Sequence, residues 1–261
     1  MTYKYSYRRQ KQVFSSTVAC SKFARFTAIA VGLLLFGPSG QSENLVDSAL
    51  RSFLGNDSNT PGFDLDKLRP QPVAPELKAL IVASLPEEGR LQKLQDPLRR
   101  KLDSLEAVLR VQQRQSVYEV RVFESEPKAF AFVGLHERAV LLISDAALIL
   151  LTAEELQASV AHEVGHEYVW TEYREATKRG DNRRLKELEL YCDGVAILTL
   201  RRAGVEPAPL LTATEKITNF NLLSTGQAWN AERYPSAGER RRFAQAVVNW
   251  ADAHQEKVAG K

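Results

Sequence analysis

Cysteine is nearly missing from this 261-residue chain, which has only Cys20 and Cys192. Cys20 lies in a leader-like N-terminal stretch, so after removal of that stretch no disulfide can form within the chain. Histidine is scarce as well: His136, His162, His166 and His254 are the whole supply, and they limit any metal site. The apolar run at residues 26–36, broken by Thr27 and Gly32, is well short of the roughly 18 residues that a spanning helix needs. No internal repeat is present, which argues against a solenoid. Basic runs of consequence are lacking too. The net charge is +3, yet Lys4, Arg8, Arg9, Lys11, Lys22 and Arg25 all fall in the first 25 residues, so the remainder is −3. A mildly acidic domain offers little to nucleic acid, which is not an expected partner. The densest basic cluster, Arg240, Arg241 and Arg242, sits in the first turns of a C-terminal helix and reads as a solvated face.

Against these absences stands one short motif, His162-Glu163-Val164-Gly165-His166. Residues i and i+4 of an α-helix share a face, so both imidazoles can hold one metal ion. Glu163 falls about 100° further round, from where it can reach a water without becoming a ligand. This is the His-Glu-x-x-His geometry that zinc hydrolases use. Zinc needs a third protein ligand. The three-histidine extension would require Gly at 169 and His at 172, where the chain has Val169 and Glu172. A carboxylate from a following helix is then the solution. Glu189 and Asp193 are again i and i+4: Glu189 serves as the third ligand, and Asp193 accepts from the free ring N–H of a ligating histidine. Glu187 and Glu172 are the rival ligands. Cys192, between the two carboxylates, reads as a small buried packing residue.

The surrounding pattern places these residues on helices. Thr152 and Glu155 form a capping box that opens the motif helix, and Leu156, Val160, Val164 and Tyr168 mark its buried stripe. Gly180 reads as its stop, with Asp181 or Asn182 capping the next helix, which runs to near Gly204. A short turn between two antiparallel helices would set Glu189 opposite the histidines. Residues 43–54 suit a short amphipathic helix within a 42–75 segment that otherwise reads as irregular linker. Residues 77–85 and 91–115 read as helices, the second packing on the core or pairing with a coiled-coil partner. Residues 117–124 and 138–144 read as strands, with His136 in the turn before the latter. Helices follow at 209–223 and 237–255, the last opened by Ser236 and Glu239.

The N-terminus reads as an export signal at residues 1–41: a basic region, a short apolar region, then Gly37, Pro38, Ser39 and Gly40. Cleavage would fall after Ser39, Gly40 or Ser42, and the mature protein would be periplasmic or secreted. An uncleaved anchor at residues 23–37 is the alternative, and a peripheral membrane association stays open.

Residues 128–134 (Lys-Ala-Phe-Ala-Phe-Val-Gly), 138–145 and 148–166, together with Glu189 to Asp193, resemble the HtpX-like and CAAX-prenyl-protease-like zinc endopeptidases. The resemblance spans residues 117–245. It implies an α+β, predominantly helical, gluzincin-type metallopeptidase domain at residues 76–261, with a small sheet beside the motif helix. It also implies one Zn2+ per chain and peptide-bond hydrolysis with Glu163 as general base. The substrate would be an unfolded or extended polypeptide of the cell envelope. Where the family usually has a histidine before Pro-Ser, this chain has Tyr234. Its phenol either donates to the developing oxyanion or approaches the zinc and blocks it. Lys128 and Val133 replace an asparagine and a proline of the family's strand. Residues 129–133 read as an edge strand that binds substrate through Ala129, Phe130, Ala131 and Phe132. Alternatively, Phe130 and Phe132 only pack the sheet against the helix.

Overall fold

The computed structural model describes residues 44–55, 64–85, 95–124, 130–226 and 232–259, the side chains of the last segment as far as 254. All belong to one compact unit, 42–261. The export signal and Ala129 lie outside the described residues.

Helix α1 (Leu45–Leu54) is capped by Asn44, whose side chain accepts from the Val46 N–H at 3.1 Å. Val46, Ala49 and Phe53 follow at helical spacing and are buried, so this part of the expected linker belongs to the core. Helix α2 (Pro75–Ser84) starts on a proline and buries none of its residues. The helix expected over 91–115 is two helices, α3 (Asp96–Asp103) and α4 (Leu105–Val111). They meet at Ser104, whose carbonyl accepts from the Gln157 side chain at 2.7 Å. Leu105, Val108 and Leu109 of α4 are buried in the core.

Strands β1 (Glu119–Phe123), β2 (Val133–His136) and β3 (Val140–Ser144) form a sheet in the order β1-β3-β2. β1 runs parallel to β3, with Glu119 opposite Val140; β2 is antiparallel, with Val133 opposite Ile143 and His136 opposite Val140. The second strand therefore begins where the sequence reading ended it. Asn221 explains the shift. Its side chain accepts from the Ala131 N–H at 2.8 Å and donates to the Ala131 carbonyl at 2.9 Å, removing that backbone from strand pairing. His136 closes β2, and the turn falls on Glu137 and Arg138, both with positive φ (45° and 58°).

After the short helix α5 (Asp145–Leu150), Thr152 and Glu155 form a complete capping box on α6 (Ala153–Tyr168). This helix divides the core. Leu156, Val160 and Val164 pack with the sheet, α4 and α5, while Ala158 and Ala161 face the cluster built from α1 and the following helices. The chain does not continue as one helix to Gly180. Val169 leaves the helical region (φ −115°, ψ 14°), and α7 (Trp170–Arg179) starts afresh. Gly180 ends α7 in the left-handed conformation at φ 66°, where glycine meets no steric penalty. Asp181 then caps α8 (Asn182–Arg202) by accepting from the Arg184 N–H. Helices α9 (Pro209–Thr225) and α10 (Ala237–Ala259) complete the unit. Among the described residues, no helix is long and apolar enough to cross a membrane.

The crossing of α6 and α8 sets the site. A Cβ on Gly165 would lie 2.8 Å from the Cα of Cys192, so only glycine allows this approach. On the far side of α8, the ring of Phe53 occupies the space that a side chain at Gly194 would need. Burying that ring contributes about 1.5–3 kcal/mol.

Candidate metal centre

The helical repeat puts His162 and His166 on the face of α6 that meets α8, their rings 5.1 Å apart and nearly perpendicular. Glu189 enters from α8 and straddles them. Its Oε2 lies 3.4 Å from His162 Nε2 and its Oε1 lies 3.8 Å from His166 Nε2. One ligand atom from each of the three side chains falls within 4.8 Å of the others. One turn further along α8, Asp193 is 2.8 Å from His162 Nδ1. That contact leaves Nε2 as the ring nitrogen facing Glu189.

The rival carboxylates lie elsewhere. Glu187 accepts from Ser48 at 2.9 Å and from Arg184 at 2.9 Å; Glu172 is exposed and paired with Arg184. His136 ends β2, and His254 is exposed, stacked on Trp250. Cys192 is fully buried at the helix crossing.

Two further residues complete the site. Arg240 of α10, expected on a solvated face, is buried. Its Nη1 donates to both Asp193 oxygens at 2.6 Å, and its Nη2 donates to Glu189 Oε2 at 3.2 Å. Burial forces it inward because two buried carboxylates need a partner; Arg241 and Arg242 remain exposed. Tyr173 of α7 donates its hydroxyl to Glu189 Oε1 at 3.1 Å. Its ring meets that of His166 edge-on at 4.8 Å. Helical spacing from His166 gave no cue to Tyr173, because the helix breaks at Val169 between them. For Arg240 the chain offers no local cue, since its carboxylate partners are 47 and 51 residues away.

The electrostatics follow from burial and pairing. Burial works to strip His162 of its proton, but Asp193 and Glu189 outweigh it and raise its pKa to about 10. Burial lowers that of His166 to about 4, with His162 adding to the effect. Glu189 is penalised by burial, yet His162, His166 and Arg240 hold it well below the usual carboxylate range. Burial raises Glu163 to about 7, helped by the charge of Glu189.

Glu163 points the other way, toward the outer edge of β2, where its Oε2 accepts from the Leu135 N–H at 3.2 Å. The segment before β2 does not offer the expected edge. Ala131 is buried with its N–H and carbonyl held by Asn221. The Phe132 N–H donates to Ser144 Oγ at 2.9 Å, and its carbonyl accepts from the Ser144 N–H at 2.8 Å. Phe130 and Phe132 are half-buried with stacked rings, and Phe132 covers Gly134. Tyr234 is half-buried in the turn before α10. Burial and the charge of Glu189 push its phenol up to about 12, with Glu163 adding to the effect.

Two imidazoles and one carboxylate are a donor set that suits zinc. Ligand bonds of about 2.1 Å put tetrahedral donors about 3.4 Å apart, close to the 3.4 and 3.8 Å found here. The cluster could hold a metal ion, and a family match supports a metallopeptidase. Residues 92–174 match the model of Peptidase family M48, the family that the sequence motifs resemble. The matched segment contains the His-Glu-x-x-His motif and Tyr173, whereas Glu189, Asp193, Tyr234 and Arg240 lie beyond it. No curated protein matches the chain.

Proposed function

We propose that this protein is a zinc-dependent endopeptidase, with one Zn2+ held by His162, His166 and Glu189. The observation that carries the reading is the meeting of these three side chains on two crossing helices, with Glu163 on the same helix as the histidines and bound to the Leu135 N–H of β2. Zinc in such a site lowers the pKa of a coordinated water from 15.7 to about 7 and polarises a carbonyl oxygen. Glu163 takes the proton of the attacking water and returns it to the leaving amine, the general acid–base task that a buried carboxylate at such a site performs. Asp193 fixes the ring of His162 through Nδ1. Tyr234 donates its hydroxyl to the oxygen on which negative charge develops. An extended polypeptide adds along the outer edge of β2, residues 133–136, rather than along 129–132. The basic-then-apolar leader supports action on exported or envelope proteins, outside the cytoplasm.

The test is Glu163→Gln. Cleavage of casein or an unfolded peptide is expected to vanish while one zinc per chain is retained. Undiminished cleavage by this variant would remove Glu163 from the chemistry. The charges of Glu189 and Glu163 both act on the half-buried Tyr234 phenol, and a second reading is a zinc-binding protein whose open site that phenol blocks. Tyr234→Phe separates the two, since activity falls if the hydroxyl assists and rises if it obstructs.

A further inference from the structure

We infer that Tyr173 is a positioning residue for the metal-binding carboxylate, holding Glu189 through its hydroxyl and His166 through its ring. The inference rests on the zinc reading and goes beyond the motif residues. A glutamate side chain has several rotatable bonds, and Glu189 can grip an ion only if its head is fixed between the two histidines. Each oxygen has its own restraint: Arg240 donates to Oε2 at 3.2 Å and Tyr173 donates to Oε1 at 3.1 Å. Arg240 also serves Asp193, so its removal disturbs more than one group. Tyr173 instead joins Glu189 to His166, with the ring planes at 84° and the centroids 4.8 Å apart, an edge-to-face arrangement that fixes ring orientation.

What holds Tyr173 in turn is a small cluster of its own. Val169, Ala176, Leu185, Leu188 and Cys192 are buried together, with Tyr173 packed against them. The helix breaks at Val169, and α7 starts at Trp170. α7 thereby brings to the ligands a phenol from outside the α6–α8 pair. Outer donors of this type change metal affinity by about 10–100-fold when removed.

The experiment compares the full chain with Tyr173→Phe and Tyr173→Leu, titrating Zn2+ against a chelator of known affinity. The melting temperature of the chelator-treated protein is recorded in parallel. Tyr173→Phe, which keeps the ring, is expected to bind zinc about 10–100-fold more weakly. Tyr173→Leu is expected to bind more weakly still, because His166 loses its neighbour too. If Tyr173→Phe binds zinc as tightly as the unaltered chain, the inference is overturned, whatever happens to the melting temperature. An unaltered chain that takes up no zinc overturns the zinc reading itself, a result seen before any variant is measured.

Discussion

At the scale of single residues, the site depends on balanced charge. Glu189 and Asp193 are buried carboxylates on one face of α8, and the buried guanidinium of Arg240 spans both. Removing one partner from such a group costs about 3–5 kcal/mol, because the remaining charges stay buried without compensation. Arg240→Met is therefore expected to lower the urea unfolding free energy of chelator-treated protein by about that amount. Added Zn2+ should recover part of the loss, since a cation bound only by the folded state stabilises it. A loss below about 0.5 kcal/mol, the range of ordinary surface changes, would show that the carboxylates are satisfied without Arg240. The placement of the four residues His162, His166, Glu189 and Asp193 was legible in the chain because i and i+4 spacing is a local property of helices. Arg240 was not. Its neighbours Arg241 and Arg242 are exposed, and nothing in a run of three arginines distinguishes the one that turns inward.

At the scale of elements, the approach of α6 to α8 determines whether the histidines meet Glu189. Gly165 sits at that crossing, and an added methyl would come within 3.0 Å of the Cα, Cβ and carbonyl oxygen of Cys192. Backbone cannot yield as a flexible side chain does. Gly165→Ala is expected to cost about 1–3 kcal/mol and to weaken zinc binding as the helices separate, both read from urea unfolding and chelator competition. Gly238→Ala serves as a control, because its Cβ meets nothing nearer than Ser236 Oγ at 4.0 Å. Equal behaviour of the two variants would refute the close-approach argument. Helix ends with capping signatures, at Thr152, Asp181 and Ser236, could be read from sequence because the cap is made by nearby side chains. Internal breaks at Ser104 and Val169 could not. The first meets the side chain of Gln157, 53 residues away, and the second lacks any proline or glycine signal. For the same reason the start of β2 was misplaced: Asn221, which holds Ala131, is 90 residues distant.

At the scale of the whole molecule, capping and packing reinforce each other. The Glu155 side chain accepts from the Thr152 N–H at 2.9 Å and pairs with Lys216 of α9 at 2.8 Å. Burial disfavours its charged form, but Lys216 and the Thr152 N–H outweigh burial and lower its pKa from 4.5. A carboxyl whose folded value is lowered stabilises the fold above its unfolded value, and that contribution is lost as pH falls through the folded one. The stability gap between the unaltered protein and Glu155→Gln is thus expected at pH 7 and should close in acid, below the folded value. Urea midpoints measured from pH 7 to pH 2 check this, and a constant gap would contradict it. The mostly helical composition and the small sheet were legible from apolar periodicity. The contribution of the first helix was less so, because Gly, Pro, Asn and Asp dominate the stretch just after it.

Phe53 gives that first helix a bearing on chemistry carried out far along the chain. Its phenyl group lies against Gly194, the residue next to Asp193, on the helix that carries Glu189 and Asp193. Replacing Phe53 by alanine would keep every histidine and both carboxylates yet open a ring-sized hole behind α8. With that backing gone α8 can settle into the hole and carry Asp193 with it, so the first imidazole would lose its fixed bearing without any substitution among the clustered side chains.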